Sequence, residues 1–158
     1  MNFRNKLDKA LEWVLIIVFS VLVLDVLWQV MSRYVLKSPS SFTDELAGYL
    51  LIWVGLLGAA YVTGKNGHLA IDILIQKASP ARKRYLSLII QFIVALFSLF
   101  VLIIGGTWLV YTRFLFNVNS AAMQLPLGYV YMVIPIGGLL ILYYSLYNVR
   151  LILKSKIN

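Results

Sequence analysis

The chain has 158 residues, 61% of them apolar and only 13% charged, with a net charge of +8. Soluble domains are about half apolar and about a quarter charged, so a mean hydropathy of +0.87 places this chain in lipid. The positive charge would suit a nucleic acid only on a soluble basic face, but here it lies in short clusters between long apolar runs, which excludes nucleic acid as a partner.

Four runs are long enough to cross a bilayer core of about 30 Å, for which about 20 helical residues suffice. The first runs from Val14 to about Met31, interrupted by Asp25 and Gln29. Arg4, Lys6 and Lys9 precede it. It is too long for a signal-peptide core and no small-x-small site follows, so it reads as a retained span. The segment Lys37-Ser-Pro-Ser-Ser-Phe-Thr-Asp44-Glu45 is a turn opening a helix, with Ser41 and Asp44 at capping-box spacing. The second run, Leu46 to Gly64, carries no charge. The loop from Lys65 to Arg84 is too long for a hairpin turn. Within it Ile71, Leu74, Ile75 and Ala78 share one helical face, which predicts a short amphipathic helix over 69–78 lying in the headgroup layer. Lys77 and the cluster Arg82-Lys83-Arg84 would anchor that region to anionic lipid. The third run spans Tyr85 to Thr112, and the fourth, about Leu125 to Val149, contains Pro126 and Pro135.

Backbone polar groups in lipid must be satisfied within the segment, and the runs do not alternate as barrel strands do. The expected fold is therefore all-α: a single membrane domain of four transmembrane helices plus the interfacial helix. Orientation follows from Lys and Arg. With the N-terminus inside, eleven (Arg4, Lys6, Lys9, Lys65, Lys77, Arg82, Lys83, Arg84, Arg150, Lys154, Lys156) lie on the cytoplasmic side. Three (Arg33, Lys37, Arg113) lie outside. The positive-inside rule then puts both termini in the cytoplasm.

An enzyme is hard to build from these residues. There is no cysteine and only one histidine, His68, so neither a bis-histidine haem nor an ordinary zinc site can be assembled. No catalytic residue, metal ligand or cofactor is expected, and His68 reads as structural or interfacial. Asp25 is the unusual residue, since an ionisable group inside a span costs about 2.5–3.5 kcal/mol even on insertion scales. It forms a polar stripe with Gln29 and Arg33 at i, i+4 and i+8. Two readings stand: a coupling carboxylate, or a carboxyl hydrogen-bonded to Gln29 or a neighbouring helix. With no second acid in any span, the second is favoured. Arg33 and Tyr34 face Asp44 and Glu45 across a short loop, either snorkelling to the interface or tying the first two helices together. Gly55 and Ala59 make a small-xxx-small pair suited to close packing.

Gln29-Val30-x-x-Arg33-Tyr34, the Ser/Pro loop and Thr43-Asp44-Glu45-Leu46-Ala47-x-Tyr49-Leu50 resemble the small membrane subunit of TRAP transporters, the tripartite ATP-independent periplasmic (DctQ-like) family. So do Gly58-Ala59-Ala60, Gly67-His68-Leu69 and Ile71-Asp72. Gly48 departs from a frequent arginine and Asp44 from a common glutamate. The resemblance implies a scaffold subunit in a bacterial or archaeal inner membrane. Its expected partners are a large sodium-coupled transport subunit, a periplasmic substrate-binding protein and membrane lipid. The expected cargo is an organic acid of the C4-dicarboxylate or sialic acid class. The polar residues Asp25, Gln29, Arg33, Tyr34, Asp44 and Glu45 would then serve subunit or structural contacts. The competing readings are a dimeric four-helix multidrug antiporter using Asp25, and the membrane anchor of a redox complex, against which the single histidine argues.

Overall fold

The computed structural model describes residues 3–65 and 80–154. The 69–78 segment, with His68 and Lys77, lies outside the described residues. Helix α1, Phe3–Tyr34, has 32 residues and contains neither glycine nor proline. At 1.5 Å per residue it is about 48 Å long, so its ends project beyond the bilayer core. Its protein-facing positions are 4, 7, 8, 11, 15, 18, 22, 25, 29 and 32, a seam that from position 8 onward alternates steps of three and four. That narrow stripe packs on α2, and bulky side chains such as Trp13, Ile17, Leu24 and Leu27 cover the remainder.

Helix α1 ends where Lys37 takes a left-handed conformation (φ 53°) and Pro39 follows. Helix α2, Ser41–Gly64, starts from Ser40, whose side chain makes no capping hydrogen bond. The capping box expected from Ser41 and Asp44 is therefore not formed. Asp44 turns to a guanidinium on α1 instead, and a charge-assisted bond outweighs a neutral cap. The third span joins α3 (Pro80–Phe97), a π-helical segment (Ser98–Gly105) and α4 (Gly106–Leu115) without a break. Its buried positions Ser98, Leu102 and Gly106 recur every four residues. In a 3.6-residue turn they would drift around the helix, whereas the wider i→i+5 turn keeps them in line against the last helix.

The last span is a short helix α5, Leu127–Tyr131, followed by α6, Val133–Lys154. Pro135 explains the break, since it has no N–H and its ring clashes with the carbonyl four residues before it. The Val130 carbonyl near this kink accepts a hydrogen bond from the Trp53 indole at 3.0 Å. Helix α6 is the centre of the bundle: α2 packs on one side, α3 and the π segment on the other. Adjacent glycines make this possible. A Cβ at Gly137 would sit 3.4 Å from Leu56 of α2, and one at Gly138 only 2.8 Å from Leu102. The core gathers Leu11, Leu57, Ala60, Leu102, Val133, Ile141 and Tyr144.

The two kinds of glycine make opposite predictions. Gly138→Leu overpacks a filled contact and should cost about 1–3 kcal/mol, lowering the thermal midpoint of the detergent-solubilised protein. Gly55→Ala adds a methyl where nothing lies within 4 Å and removes the helix penalty of glycine, so it should leave that midpoint unchanged or raise it. Equal midpoints for the two variants would contradict the close approach of α6 and the π segment.

Candidate functional site

Two polar clusters occupy opposite ends of the bundle. At the end carrying the α1–α2 turn, Asp44 opens the first turns of α2, level with the last turns of α1. The antiparallel pairing brings Gln29 and Arg33, one turn apart on α1, to the same carboxylate. Arg33 Nη2 lies 3.1 Å from Asp44 Oδ1 and 3.3 Å from Oδ2, and the Gln29 amide donates to Oδ1 as well. Both charged side chains remain about half exposed, so the ion pair by itself is worth only about 0–1 kcal/mol.

Glu45 points elsewhere. Its two carboxylate oxygens accept hydrogen bonds from the backbone N–H groups of Ala121 (2.9 Å) and Met123 (3.1 Å) in the loop between α4 and α5. That loop is a tight hairpin-like turn. Ser120 N–H donates to Leu125 O, Leu127 N–H donates to Val118 O, and Asn117 and Gln124 take positive φ. Neighbouring acids on α2 thus bind different elements, Asp44 the first helix and Glu45 the loop before the last span.

The other sequence candidates are more dispersed. Asp25 is 9% exposed and faces α2, and its Oδ2 has no hydrogen-bond partner among the described residues. The Gln29 amide is directed at Asp44 rather than at Asp25. Tyr34 is 73% exposed at the final turn of α1. Arg82 and Lys83 are exposed, and Arg84 donates to the Leu153 carbonyl at 3.2 Å near the end of α6.

At the end holding both termini, sequence reasoning missed a second joint. Arg4 Nη2 donates to Gly64 O at 2.6 Å, its Nε lies 3.8 Å from Asp8, and its guanidinium stacks 4.4 Å above the Tyr147 ring. Tyr144 O–H donates to Asp8 Oδ1 at 2.6 Å, and Asn148 donates its amide to Thr63 O at 3.0 Å. Gly64 is required there, since a Cβ would meet the Tyr144 ring at 2.9 Å. The available signal was Arg4 and Asp8 at i, i+4, together with Tyr144, Ser145 and Asn148 inside a span, where polar side chains need protein partners.

Among the described residues no three His, Cys, Asp or Glu side chains converge on a common point. The polar groups instead join helix to helix, and four helices are long and apolar enough to cross a membrane. These features define a multi-pass helical membrane protein built around fixed inter-helix joints. The family model for the DctQ component of tripartite ATP-independent periplasmic transporters matches residues 22–155, and the chain belongs to that family. It is thus a transporter component of the inner membrane and not an enzyme.

Relatives agree. The chain is 32% identical over 142 residues to a Haemophilus influenzae protein described as a TRAP transporter small permease, covering 89% of this chain and 85% of that one. It is 27% identical over 99 residues to the C4-dicarboxylate TRAP transporter small permease protein DctQ of Rhodobacter capsulatus, covering 61% of this chain and 42% of that one. It is also 32% identical over 95 residues to the sialic acid TRAP transporter permease protein of Haemophilus influenzae. That match covers 60% of this chain but only 15% of the relative.

The role of Glu45 can be read by hydrogen exchange. Glu45→Ala removes a charged acceptor, so the Ala121 and Met123 amides should exchange at least about tenfold faster, while Asp44→Ala leaves them as they were. Unchanged protection in Glu45→Ala would show that the loop holds itself.

Proposed function

We propose that this chain is the fixed scaffold subunit of a sodium-coupled, binding-protein-dependent uptake system, packing against a large permease subunit that carries the substrate. The observation that carries this reading is the match to 15% of the sialic acid TRAP permease. A small-subunit-like segment there shares one chain with a much longer permease, as expected of parts that work in contact. The broad apolar outer surface of α1 supports the same reading, since a partner's helices or lipid can cover it. The substrate class is organic acids of the sialic acid or C4-dicarboxylate kind, in line with what two relatives are named for. A periplasmic binding protein would deliver it.

In this reading the basic end faces the cytoplasm and the Arg33–Asp44 corner faces the periplasm. The chain has no cysteine, so single cysteines report cleanly. One at Ser155 should react in intact cells only with membrane-permeant reagents, and one at Ser40 or Asn119 also with impermeant ones. Impermeant labelling at position 155 would reverse the topology.

Transport is tested by reconstitution. Liposomes holding this chain alone should accumulate no substrate, and those holding it with the large subunit, binding protein and a sodium gradient should. Accumulation by the chain alone would overturn the scaffold role and favour an antiporter working through Asp25. Arg33→Glu should weaken co-purification with the large subunit or uptake, and Asp44→Lys in the same chain should restore part of the loss. Full assembly and uptake in Arg33→Glu alone would leave the corner without a coupling role.

A further inference from the structure

The inner stretch of α6 carries a face that the helix joints use only in part, through the stacking of Arg4 on Tyr147. Tyr143, Leu146, Tyr147 and Arg150 stand at i, i+3, i+4 and i+7, so they share one face, and they line an open groove of about 320 Å³. That volume suits a small organic group rather than a single water. Its wall is apolar and aromatic: Leu146 is 57% exposed, and the Tyr143 and Tyr147 rings lie 6.4 Å apart. Its polar end is the exposed Arg150 guanidinium, one turn before the end of α6 at Lys154.

The charges around the groove are unevenly committed. Arg4, on the Tyr147 ring, is engaged by Asp8 and by the Gly64 carbonyl. Arg84 is hydrogen-bonded to Leu153 O, one turn beyond Arg150. Among the described residues the ion pairs are Arg4–Asp8 and Arg33–Asp44, and no carboxylate is paired with Arg150. A guanidinium with fork geometry and no carboxylate partner among the described residues, above an apolar wall at the level where a membrane helix leaves the core, matches a phosphate ester carrying an acyl chain.

We propose that this groove binds one anionic phospholipid, its phosphate on the Arg150 guanidinium and an acyl chain along Leu146 and the rings of Tyr143 and Tyr147. Arg150 is decisive for a physical reason. The C-terminal end of a helix bears partial negative charge, which repels phosphate unless a cation stands in front of it. Lys154 lies at the same end but outside the groove. The site is separate from the corner formed by Arg33, Asp44 and Glu45 and does not depend on any transport activity.

The purified full-length chain in detergent tests this by native mass spectrometry with added phosphatidylglycerol or phosphatidylcholine. The wild type should retain one phosphatidylglycerol with a preference of about fivefold or more over phosphatidylcholine. Arg150→Gln should erase the preference, and Lys154→Gln should keep it. Leu146→Trp, which fills the wall and leaves the charge, should lower retention of both lipids. Millimolar inorganic phosphate should not displace the bound lipid, because it lacks the chain. Circular dichroism confirms that each variant keeps its helix content. Equal losses in Arg150→Gln and Lys154→Gln would mean diffuse attraction to a basic rim and would overturn the site. Displacement of the lipid by phosphate would overturn the acyl-chain contact.

Discussion

In hydrocarbon a polar group that finds no partner inside the protein finds none at all, and this constraint organises the bundle around α6. Ser98 donates to Gly138 O and Ser145 to Gln91 O, each at 2.6 Å, across the interface with the third span. Asn148 donates to Thr63 O, while the Trp53 indole takes the Val130 carbonyl beside the kink. Each of these bonds joins a side chain to a backbone carbonyl on another helix. Carbonyl acceptors keep their place when side chains repack, so the contacts fix the spacing of helices rather than the rotamer of one residue. Glycine at 137 and 138 brings the backbones close enough for such short bonds.

Helix α1 is held differently. Along most of its length it meets the bundle only through the three–four seam on α2, and its polar anchors sit at its two ends. The Arg4, Asp8 and Tyr144 cluster ties the first turns to α6. Gln29 and Arg33 tie the last turns to Asp44. A helix pinned at both ends can keep its long outer surface free of polar groups and still hold its angle. Glu45 extends the tie beside the α1–α2 turn to the loop before α5, so the elements at that end are linked through two consecutive residues of α2. Individually these exposed bonds are weak, but they constrain three elements at one point.

Much of the architecture was legible because long apolar runs in lipid leave few alternatives to helices. Arg33 opposite Asp44 could be read from a short loop and opposite charges. Glu45 could not, because its partners are backbone amides 76 and 78 positions away, and amides carry no residue identity. The basic-end joint was hidden for a related reason. Tyr144 and Asp8 are 136 residues apart, and Arg4 was read as a topology signal rather than as a ligand of Gly64 O. The π segment leaves almost no trace in composition. Its signature is the four-residue spacing of Ser98, Leu102 and Gly106, which means little until the facing helix is known. The capping box failed because a local pattern competed with a charged partner on another helix, and the charge prevailed.

The division of labour among the glycines bears on what the outer surface is for. Gly64, Gly106, Gly128, Gly137 and Gly138 each meet another side chain within 4 Å of where a Cβ would stand. Gly48, Gly55 and Gly58 on α2 meet nothing. Internal packing therefore accounts for the first set and leaves the second without an internal cause. Glycine inside a helix costs about 1 kcal/mol relative to alanine, so three in one span are a real expense in helix stability. The helix nevertheless holds, because its other faces are clamped by the α1 seam and by α6. The polar inventory of the spans is largely spent on joints within the chain, while smooth and apolar surface is left outside. A chain so arranged contributes a rigid shape to the membrane.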